Sequence, residues 1–206
     1  MIYPTFASIF NASDGRINVR RFETKYQISL EIQSSSIKST ILCPGPFYTD
    51  FQNPQYAYWE GSTVVFSTPA APGKSMGFAD PGHDIGWFAK AAFDEGPDYR
   101  KGQVLPVCGR SISYSELAGK FSAVTGIKAE YRQCGIEEFE ARFGRHLTLD
   151  KRDMGELGKW LAIAPDNMTC YGTIEMERLY AVESDLRVKA LTWEAFLMRT
   201  AWMGPP

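Results

Sequence analysis

One lysine near the start of a predicted helix is the first residue whose type and place suit chemistry. Lys25 lies in the stretch FETKYQISLEIQ, residues 22–33. A lysine ammonium donates up to three hydrogen bonds, and a desolvated lysine can take part in proton transfer. Lys25 is therefore a candidate for ligand binding and for catalysis. The alternative is a solvated lysine in the first turn of the helix, where the helix dipole disfavours a cation.

A second candidate group follows an apolar stretch that ends in a rigid Pro-Gly-Pro loop. The stretch KSTILCPGP predicts a strand running into a loop, and directly after it come Phe47, Tyr48, Thr49 and Asp50. In open α/β sheets, ligands bind beyond the carboxyl ends of the strands. These four residues, the 47–50 segment, are thus candidates for ligand contact. The alternative is a loop that packs its aromatic rings into the core.

The histidines and cysteines do not have the spacing of a metal site. There are two histidines, His83 and His146, and four cysteines, Cys43, Cys108, Cys134 and Cys170. No two of the cysteines form a Cys-x-x-Cys pair. We expect no metal, and we expect the cysteines to be buried or partly buried thiols of a reducing compartment, cytoplasmic or nuclear. In the pair His83-Asp84, we interpret Asp84 as a helix N-cap and His83 as a loop residue.

Composition excludes several classes of protein. The chain has 206 residues, of which 44% are hydrophobic and 22% charged, with a net charge of −2. A packed core is therefore possible, and there is no basic patch for direct contact with nucleic acid. No apolar run of about 18 residues predicts a membrane span. The first residues lack the charged start of a secretory signal peptide, so none is predicted.

The elements around the candidate residues predict a βαβ unit. IYPTFASIF, residues 2–10, predicts a buried strand, and the helix carrying Lys25 is predicted to begin at Thr24. Tyr26 and Leu30, and likewise Ile28 and Ile32, are four residues apart, which predicts a largely buried helix. The apolar stretch at 38–45 is the second strand.

The rest of the chain continues as mixed α/β. Strands are predicted at 63–69, 74–80, 102–109 and 128–134, and helices at 83–96, 113–126, 136–144, 150–164 and 192–202. Ser113 with Glu116 forms a capping box, Gly126 ends that helix, and Thr192 caps the last one. No Gly-x-Gly-x-x-Gly or phosphate-binding loop occurs, so the chain does not encode a cradle for two phosphates.

From residue 22 onward the sequence resembles the NmrA-like family, atypical relatives of the short-chain dehydrogenases and reductases. Phe22-Glu23-Thr24-Lys25 resembles the lysine motif of the family, and TILCP at 40–44 and the 47–50 segment resemble its strand and loop. Two departures stand out, since Cys43 replaces the usual arginine and Thr49-Asp50 replaces Glu-Asn. Residues 78–96, 102–131 and 192–202 resemble the later parts of the family pattern, in the same order.

The resemblance implies an α/β fold, with a partial Rossmann-type, doubly wound sheet and a smaller α+β substrate lobe. In this register Met1 begins at the fifth strand of the sheet. Residues from 1 to about 60 form the remnant of the sheet, and residues from about 61 to 206 mostly form the substrate lobe, with interleaved sheet elements. Such a sheet would have an open edge, through which we expect self-association.

The resemblance also implies a cofactor, NADP or NAD. Lys25 would reach the nicotinamide ribose and act in catalysis, and Phe47, Tyr48, Thr49 and Asp50 would lie beside the nicotinamide. Position 21 is Arg, so the tyrosine of the usual Tyr-x-x-x-Lys pair is absent. Three functions stay open: a redox-sensing regulator with a small-molecule or protein partner, an NAD(P)H-dependent reductase of an aromatic, enone or quinone metabolite, and a non-catalytic interaction protein.

Overall fold

The computed structural model describes residues 1–96, 98–99, 102–142, 151–166 and 176–206. Its strands are β1 (Ile2–Pro4), β2 (Thr40–Pro44), β3 (Ala57–Glu60), β4 (Thr63–Phe66), β5 (Ser75–Met76), β6 (Val104–Val107), β7 (Ile112–Ser113) and β8 (Ala129–Tyr131). Its helices are α1 (Ile9–Ala12), α2 (Arg20–Ser34), α3 (Asp84–Asp94), α4 (Tyr114–Thr125), α5 (Ile136–Arg142), α6 (Lys151–Ile163), α7 (Met176–Leu186) and α8 (Trp193–Thr200), with a short 3₁₀ helix at Tyr48–Gln52. The predicted mixed α/β architecture is confirmed.

Three parallel strands form the first sheet, in the order β1-β2-β6. Ile2 pairs with Thr40, and Leu42 pairs with Leu105. The predicted βαβ unit is therefore present as β1, α2 and β2. β1 is shorter than predicted, because Ile9–Ala12 is a short helix capped by the Ser8 hydroxyl. Among the strands of the described residues, β1 pairs with β2 alone, so it lies at an edge of this sheet.

Both faces of the first sheet are covered. Leu42 and Leu105 share one apolar cluster with Phe88 of α3. Cys43 shares another with Leu179 of α7. Because neighbouring residues of a strand point to opposite faces, the sheet is buried on both sides, as in a doubly wound fold.

A second sheet forms the core of the smaller lobe. Its order is β3-β4-β8, with β3 antiparallel to β4 and β8 parallel to β4. β3, β7 and α7 were not predicted from the sequence, and the predicted strands at 63–69, 74–80 and 128–134 are shorter in the structure. The capping box of Ser113 and Glu116, the left-handed Gly126 and the Thr192 cap are all confirmed.

Helix α2 differs from its prediction in where it begins and in what it buries. It begins at Arg20 rather than Thr24, because both carboxylate oxygens of Asp153 accept hydrogen bonds from the backbone N–H groups of Arg20 and Arg21, each at 3.2 Å. An acid from α6 thus satisfies the unpaired donors of the first turn. The helix buries Phe22 and Ser29, whereas Ile28 and Leu30 are each 39% exposed, so the prediction of a largely buried helix was wrong.

Asp84 is not the N-cap that the sequence suggested. It is the first residue of α3, and its carboxylate accepts hydrogen bonds from the backbone N–H groups of Asp80 and Leu191, at 2.7 and 3.0 Å. Its side chain therefore joins two distant segments instead of capping its own helix. His83 packs its Nδ1 against the same carboxylate at 2.9 Å.

Three cysteines are thiols, as expected. Cys43 and Cys108 are buried and Cys134 is partly exposed, whereas Cys170 and His146 lie outside the described residues. The end of the helix predicted at 136–144 and the first residue of the one predicted at 150–164 lie outside them too. None of the helices in the described ranges combines the length and apolarity needed to cross a membrane.

Candidate functional site

Lys25 lies at the carboxyl end of β1. Its ammonium lies over the rings of Tyr3 and Phe6, at 6.0 and 5.8 Å from their centroids, and its backbone carbonyl accepts a hydrogen bond of 3.0 Å from the Thr5 hydroxyl. Since α2 begins at Arg20, Lys25 is in the second turn, and the first-turn placement was wrong. The penalty from the helix dipole, which falls off within the first turn, is correspondingly small.

Aromatic stacking fixes α2 against the end of β1. The ring of Phe22 is 1% exposed and stacks on Phe6, with 4.3 Å between centroids and 14° between planes. Phe6 therefore contacts the helix through Phe22 and also forms part of the surface beneath the Lys25 ammonium. This packing sets the position of Lys25 relative to the sheet.

The 47–50 segment follows β2 at the same edge of the sheet, because β1 and β2 are parallel. A close backbone crossing leads into it: a Cβ on Gly45 would lie 2.1 Å from the Gly77 carbonyl oxygen, so only glycine fits there. Tyr48 donates its backbone N–H to Ala79 at 3.0 Å, and Ala79 donates to Pro46 at 2.8 Å. These bonds hold the segment beside the strand end.

Tyr48 belongs to the core rather than to an open surface. It is 1% exposed, and its ring lies 5.1 to 5.6 Å from those of Trp193, Phe196 and Phe78. Burial raises the pKa of its hydroxyl well above the usual value. Its side chain is therefore covered by its aromatic neighbours, and the placement of Tyr48 beside a cofactor stays a prediction. Phe47, Thr49 and Asp50 are only partly buried.

Asp50 is the group in the segment with unusual electrostatics. Its carboxylate accepts the backbone N–H of Phe47 at 3.3 Å. Burial raises the pKa of Asp50 to about 6, against the opposing effects of that hydrogen bond and of the Arg21 guanidinium. Burial, followed by the Asp50 charge, also raises the pKa of Tyr56, which Arg21 opposes. Arg21, Asp50 and Tyr56 thus form one electrostatic cluster.

The structure brings the predicted residues to one edge without joining them. Within the described ranges, no hydrogen bond or ion pair links Lys25 to the 47–50 segment, and the link from α2 to Asp50 comes from Arg21 instead. From the sequence, Arg21 was identified only as the replacement of a tyrosine, and neither its effect on the pKa of Asp50 nor the place of Tyr56 was predicted. The spacing of Arg21 and Lys25, four residues apart on one helix face, was the available signal.

Replacing Asp50 with asparagine is expected to raise stability at neutral pH. Because the folded pKa of about 6 exceeds the ordinary 3.8, the folded chain keeps this proton longer. The contribution of Asp50 is therefore full below about pH 4 and is lost as pH rises through 6. The difference in unfolding free energy between D50N and the parent should grow from near zero below pH 4 to roughly 2–3 kcal/mol at pH 7.

Urea denaturation from pH 4 to 7.5 measures this difference. Asp94→Asn, whose side chain is 62% exposed, is the matched control and should give a much smaller change across this range. A D50N difference that does not vary with pH would contradict the assignment of a raised pKa to Asp50.

No group of three or more His, Cys, Asp and Glu side chains in the described residues could hold a metal ion. The candidate site therefore consists of a lysine, aromatic rings and one carboxyl group at the carboxyl edge of a parallel sheet. Such an arrangement can hydrogen-bond a polyhydroxyl ligand through Lys25 and pack a flat ring beside Phe6 and Phe47.

The chain matches one protein family and is similar to several solved structures. The family model of the NmrA-like family matches residues 1–197, and no curated protein matches the chain. Among solved structures, NmrA, described as a negative transcriptional regulator, in complex with NADP, is 15% identical with a TM-score of 0.77; the match covers 95% of this chain and 62% of that one.

Two enzymes are also similar in structure. A NADPH-dependent quinone oxidoreductase from Escherichia coli, complexed with NADPH, is 15% identical with a TM-score of 0.63, over 98% of this chain and 65% of that one. A triphenylmethane reductase from Citrobacter sp., complexed with NADP(H), is 14% identical with a TM-score of 0.67, over 96% and 64%. At these identities the likeness shows the fold, and the chain spans less than two thirds of each of these structures.

Proposed function

Because the chain belongs to the NmrA-like family, we propose that it is an NAD(P)-binding-type protein that acts as a redox-sensing regulator. Lys25 hydrogen-bonds the nicotinamide ribose, and Phe47, Thr49 and Asp50 lie beside the nicotinamide. The bound nicotinamide would supply hydride chemistry in a protein that turns over. A regulator instead reports which oxidation state is bound, to a small-molecule or protein partner.

The identity and role of Arg21 carry this proposal. Arg21 lies one helical turn before Lys25, and its guanidinium favours the charged form of Asp50. A guanidinium stays protonated at all working pH values, so it cannot supply a proton to a carbonyl substrate as a tyrosine hydroxyl can. The arrangement supports binding of a dinucleotide with little turnover.

A reductase of a small aromatic, enone or quinone metabolite is the second candidate. Asp50 has a pKa of about 6, which is suited to exchanging a proton near neutral pH. The Tyr3 and Phe6 rings beneath the Lys25 ammonium offer a flat apolar surface to an aromatic substrate. In this alternative Lys25 orients the ribose and assists proton transfer.

The 206-residue polypeptide is expected to bind NADPH and NADP⁺ with dissociation constants in the millimolar range or weaker. Its sequence encodes no glycine-rich phosphate cradle, and each tenfold loss of affinity corresponds to about 1.4 kcal/mol. Lys25→Ala should weaken binding by roughly a further tenfold, because a charge-assisted hydrogen bond is lost. NMR titration measures both constants, and the exposed Lys128→Ala is the control.

A second titration with NADPH, monitored by the fluorescence of the five tryptophans, distinguishes the candidate functions. Binding without NADPH oxidation across a panel of enones and quinones supports the regulator. Oxidation that Lys25→Ala abolishes supports the reductase. The absence of any NADPH-dependent change up to the highest soluble NADPH concentration overturns both and leaves the non-catalytic interaction protein. A sub-micromolar dissociation constant contradicts the predicted weak binding.

A further inference from the structure

A cavity of about 300 Å³ opens between the first sheet and the helices that cover one of its faces. Its walls come from the loop after β1, from α1 and α2, from β2 and β6, and from the start of α7. Neither Lys25 nor any residue of the 47–50 segment lines it. The cavity therefore adjoins the candidate site through the shared ring of Phe6, without including its lysine or its strand-end segment.

The inner part of the cavity is apolar. Phe6 and Val104 line it with two alanines, Ala7 and Ala12, and Cys43 lines it from β2. Phe6 is held in place by its stacking on Phe22. A compact apolar group would replace water against these side chains, which is favourable by roughly 25 cal/mol per Å² of apolar surface buried.

The buried hydroxyl groups of the cavity already donate hydrogen bonds to protein atoms. The Thr5 hydroxyl donates to the Lys25 carbonyl at 3.0 Å, Ser8 donates to the Glu23 carboxylate at 2.7 Å, and Ser29 donates to the Tyr26 carbonyl at 2.6 Å. Each of these hydroxyl groups already has a protein acceptor, so an apolar ligand group beside them leaves no hydroxyl proton unpaired.

The outer part of the cavity carries donors and a positive charge. Arg178 of α7 is exposed, and within the described ranges no carboxylate pairs with it. Asn11 and Tyr26, whose side chains carry hydrogen-bond donors, also line the cavity. No lining residue is acidic, so the guanidinium charge is not neutralised within the cavity. A guanidinium binds a carboxylate through two parallel hydrogen bonds. A carboxylate is therefore a better partner for Arg178 than a neutral group is.

We propose that this cavity binds a small monocarboxylate with a compact apolar body. The carboxylate pairs with Arg178 and accepts hydrogen bonds from Asn11 and Tyr26, and the apolar body lies against Phe6 and Val104. The inference goes beyond the proposed dinucleotide function and does not depend on it.

The size of the cavity restricts the ligand. A volume of about 300 Å³ is at the lower end of ligand pockets and holds roughly a dozen non-hydrogen atoms. It is too small for a dinucleotide or a long-chain fatty acid. A bicyclic aromatic acid such as 2-naphthoate matches both the volume and the charge.

Calorimetric titration of the full chain with 2-naphthoate tests the proposal, with neutral 2-naphthamide as the matched ligand. We expect 2-naphthoate to bind at least tenfold more tightly than the amide. Arg178→Gln should remove that preference: the affinity for 2-naphthoate should fall at least tenfold, and the affinity for the amide less than twofold. Arg187→Gln, at the exposed residue that directly follows the same helix and outside the cavity lining, should leave both affinities unchanged.

Two results would overturn the proposal. One is the absence of 2-naphthoate binding, or binding no tighter than that of the amide. The other is an Arg178→Gln variant that retains the affinity for 2-naphthoate. Val104→Phe, which fills the inner part of the cavity, should abolish binding of both ligands. Because Arg178 is exposed, its variant is expected to fold, so the result does not depend on the fold of the Val104 variant.

Discussion

Replacing Trp193 with alanine is expected to lower the free energy of unfolding by about 4 kcal/mol. Trp193 is 1% exposed and begins α8, and its ring contacts the aromatic cluster of the smaller lobe: Tyr48, Phe51, Phe66, Phe196 and Trp202, at 5.1 to 6.3 Å between centroids. Its indole N–H donates to the Leu117 carbonyl of α4 at 2.9 Å. The truncation opens a cavity and leaves that carbonyl without its partner.

Chemical denaturation monitored by circular dichroism measures the loss. Trp193→Phe keeps most of the volume and loses only the hydrogen bond, so it should cost about 1–2 kcal/mol. Trp87→Ala is the control, because Trp87 is 51% exposed and its truncation should change stability by less than 1 kcal/mol. A Trp193→Ala loss no greater than that of Trp87→Ala would contradict the central place of this ring.

Tyr48 connects that cluster to the candidate site. Its ring packs against Trp193 while its backbone belongs to the segment that follows β2. The resemblance placed this residue beside a ligand. Two of its aromatic neighbours, Trp193 and Phe196, could not be predicted because they come from α8, more than 140 positions later. The burial of Tyr48 is therefore the means by which the smaller lobe fixes the strand end where Asp50 lies.

Local signals predicted the elements well. The capping box at Ser113 and Glu116, the glycine at the end of α4 and the Thr192 cap act within a few residues, and each is present. The βαβ unit was predicted from apolar stretches and a proline-rich loop. β3 was missed because a four-residue strand with an exposed tryptophan does not give a regular apolar alternation.

Long-range contacts account for what could not be predicted. The start of α2 is fixed by Asp153, which is 133 positions from Arg20, so no local pattern marks it. The apolar residues Ile28 and Leu30 suggested burial, yet the position of α2 is set by the stacking of Phe22 on Phe6. At the site, Lys25 could be selected from its motif, whereas the electrostatic effect of Arg21 on the pKa of Asp50 depends on the packing of two separate segments.

Asp80, four residues before α3 begins, forms an ion pair with Arg199 of α8. Asp80 is fully buried and accepts hydrogen bonds from Arg199 Nε at 2.8 Å and from the Gly82 N–H at 2.9 Å. Its Oδ2 also lies 2.6 Å from Arg199 Nη2, as an ion pair. The fully buried Asp84 carboxylate lies close by, bound to the Asp80 backbone N–H at 2.7 Å. Two acids are thus buried side by side, and Arg199 is the cation that offsets the charge of Asp80.

Replacing Arg199 with methionine is expected to cost about 3 kcal/mol at pH 7, since it leaves the Asp80 carboxylate buried without its cation. Urea denaturation measures the loss, and Arg187→Met, at the exposed residue that follows α7, should change the free energy of unfolding by less than about 0.5 kcal/mol. The double variant of Asp80→Asn with Arg199→Met should recover at least half of the loss, because the buried charge is removed together with its partner. A cost below 1 kcal/mol for Arg199→Met, or no recovery in the double variant, would show that the pair does not hold α8 against the start of α3.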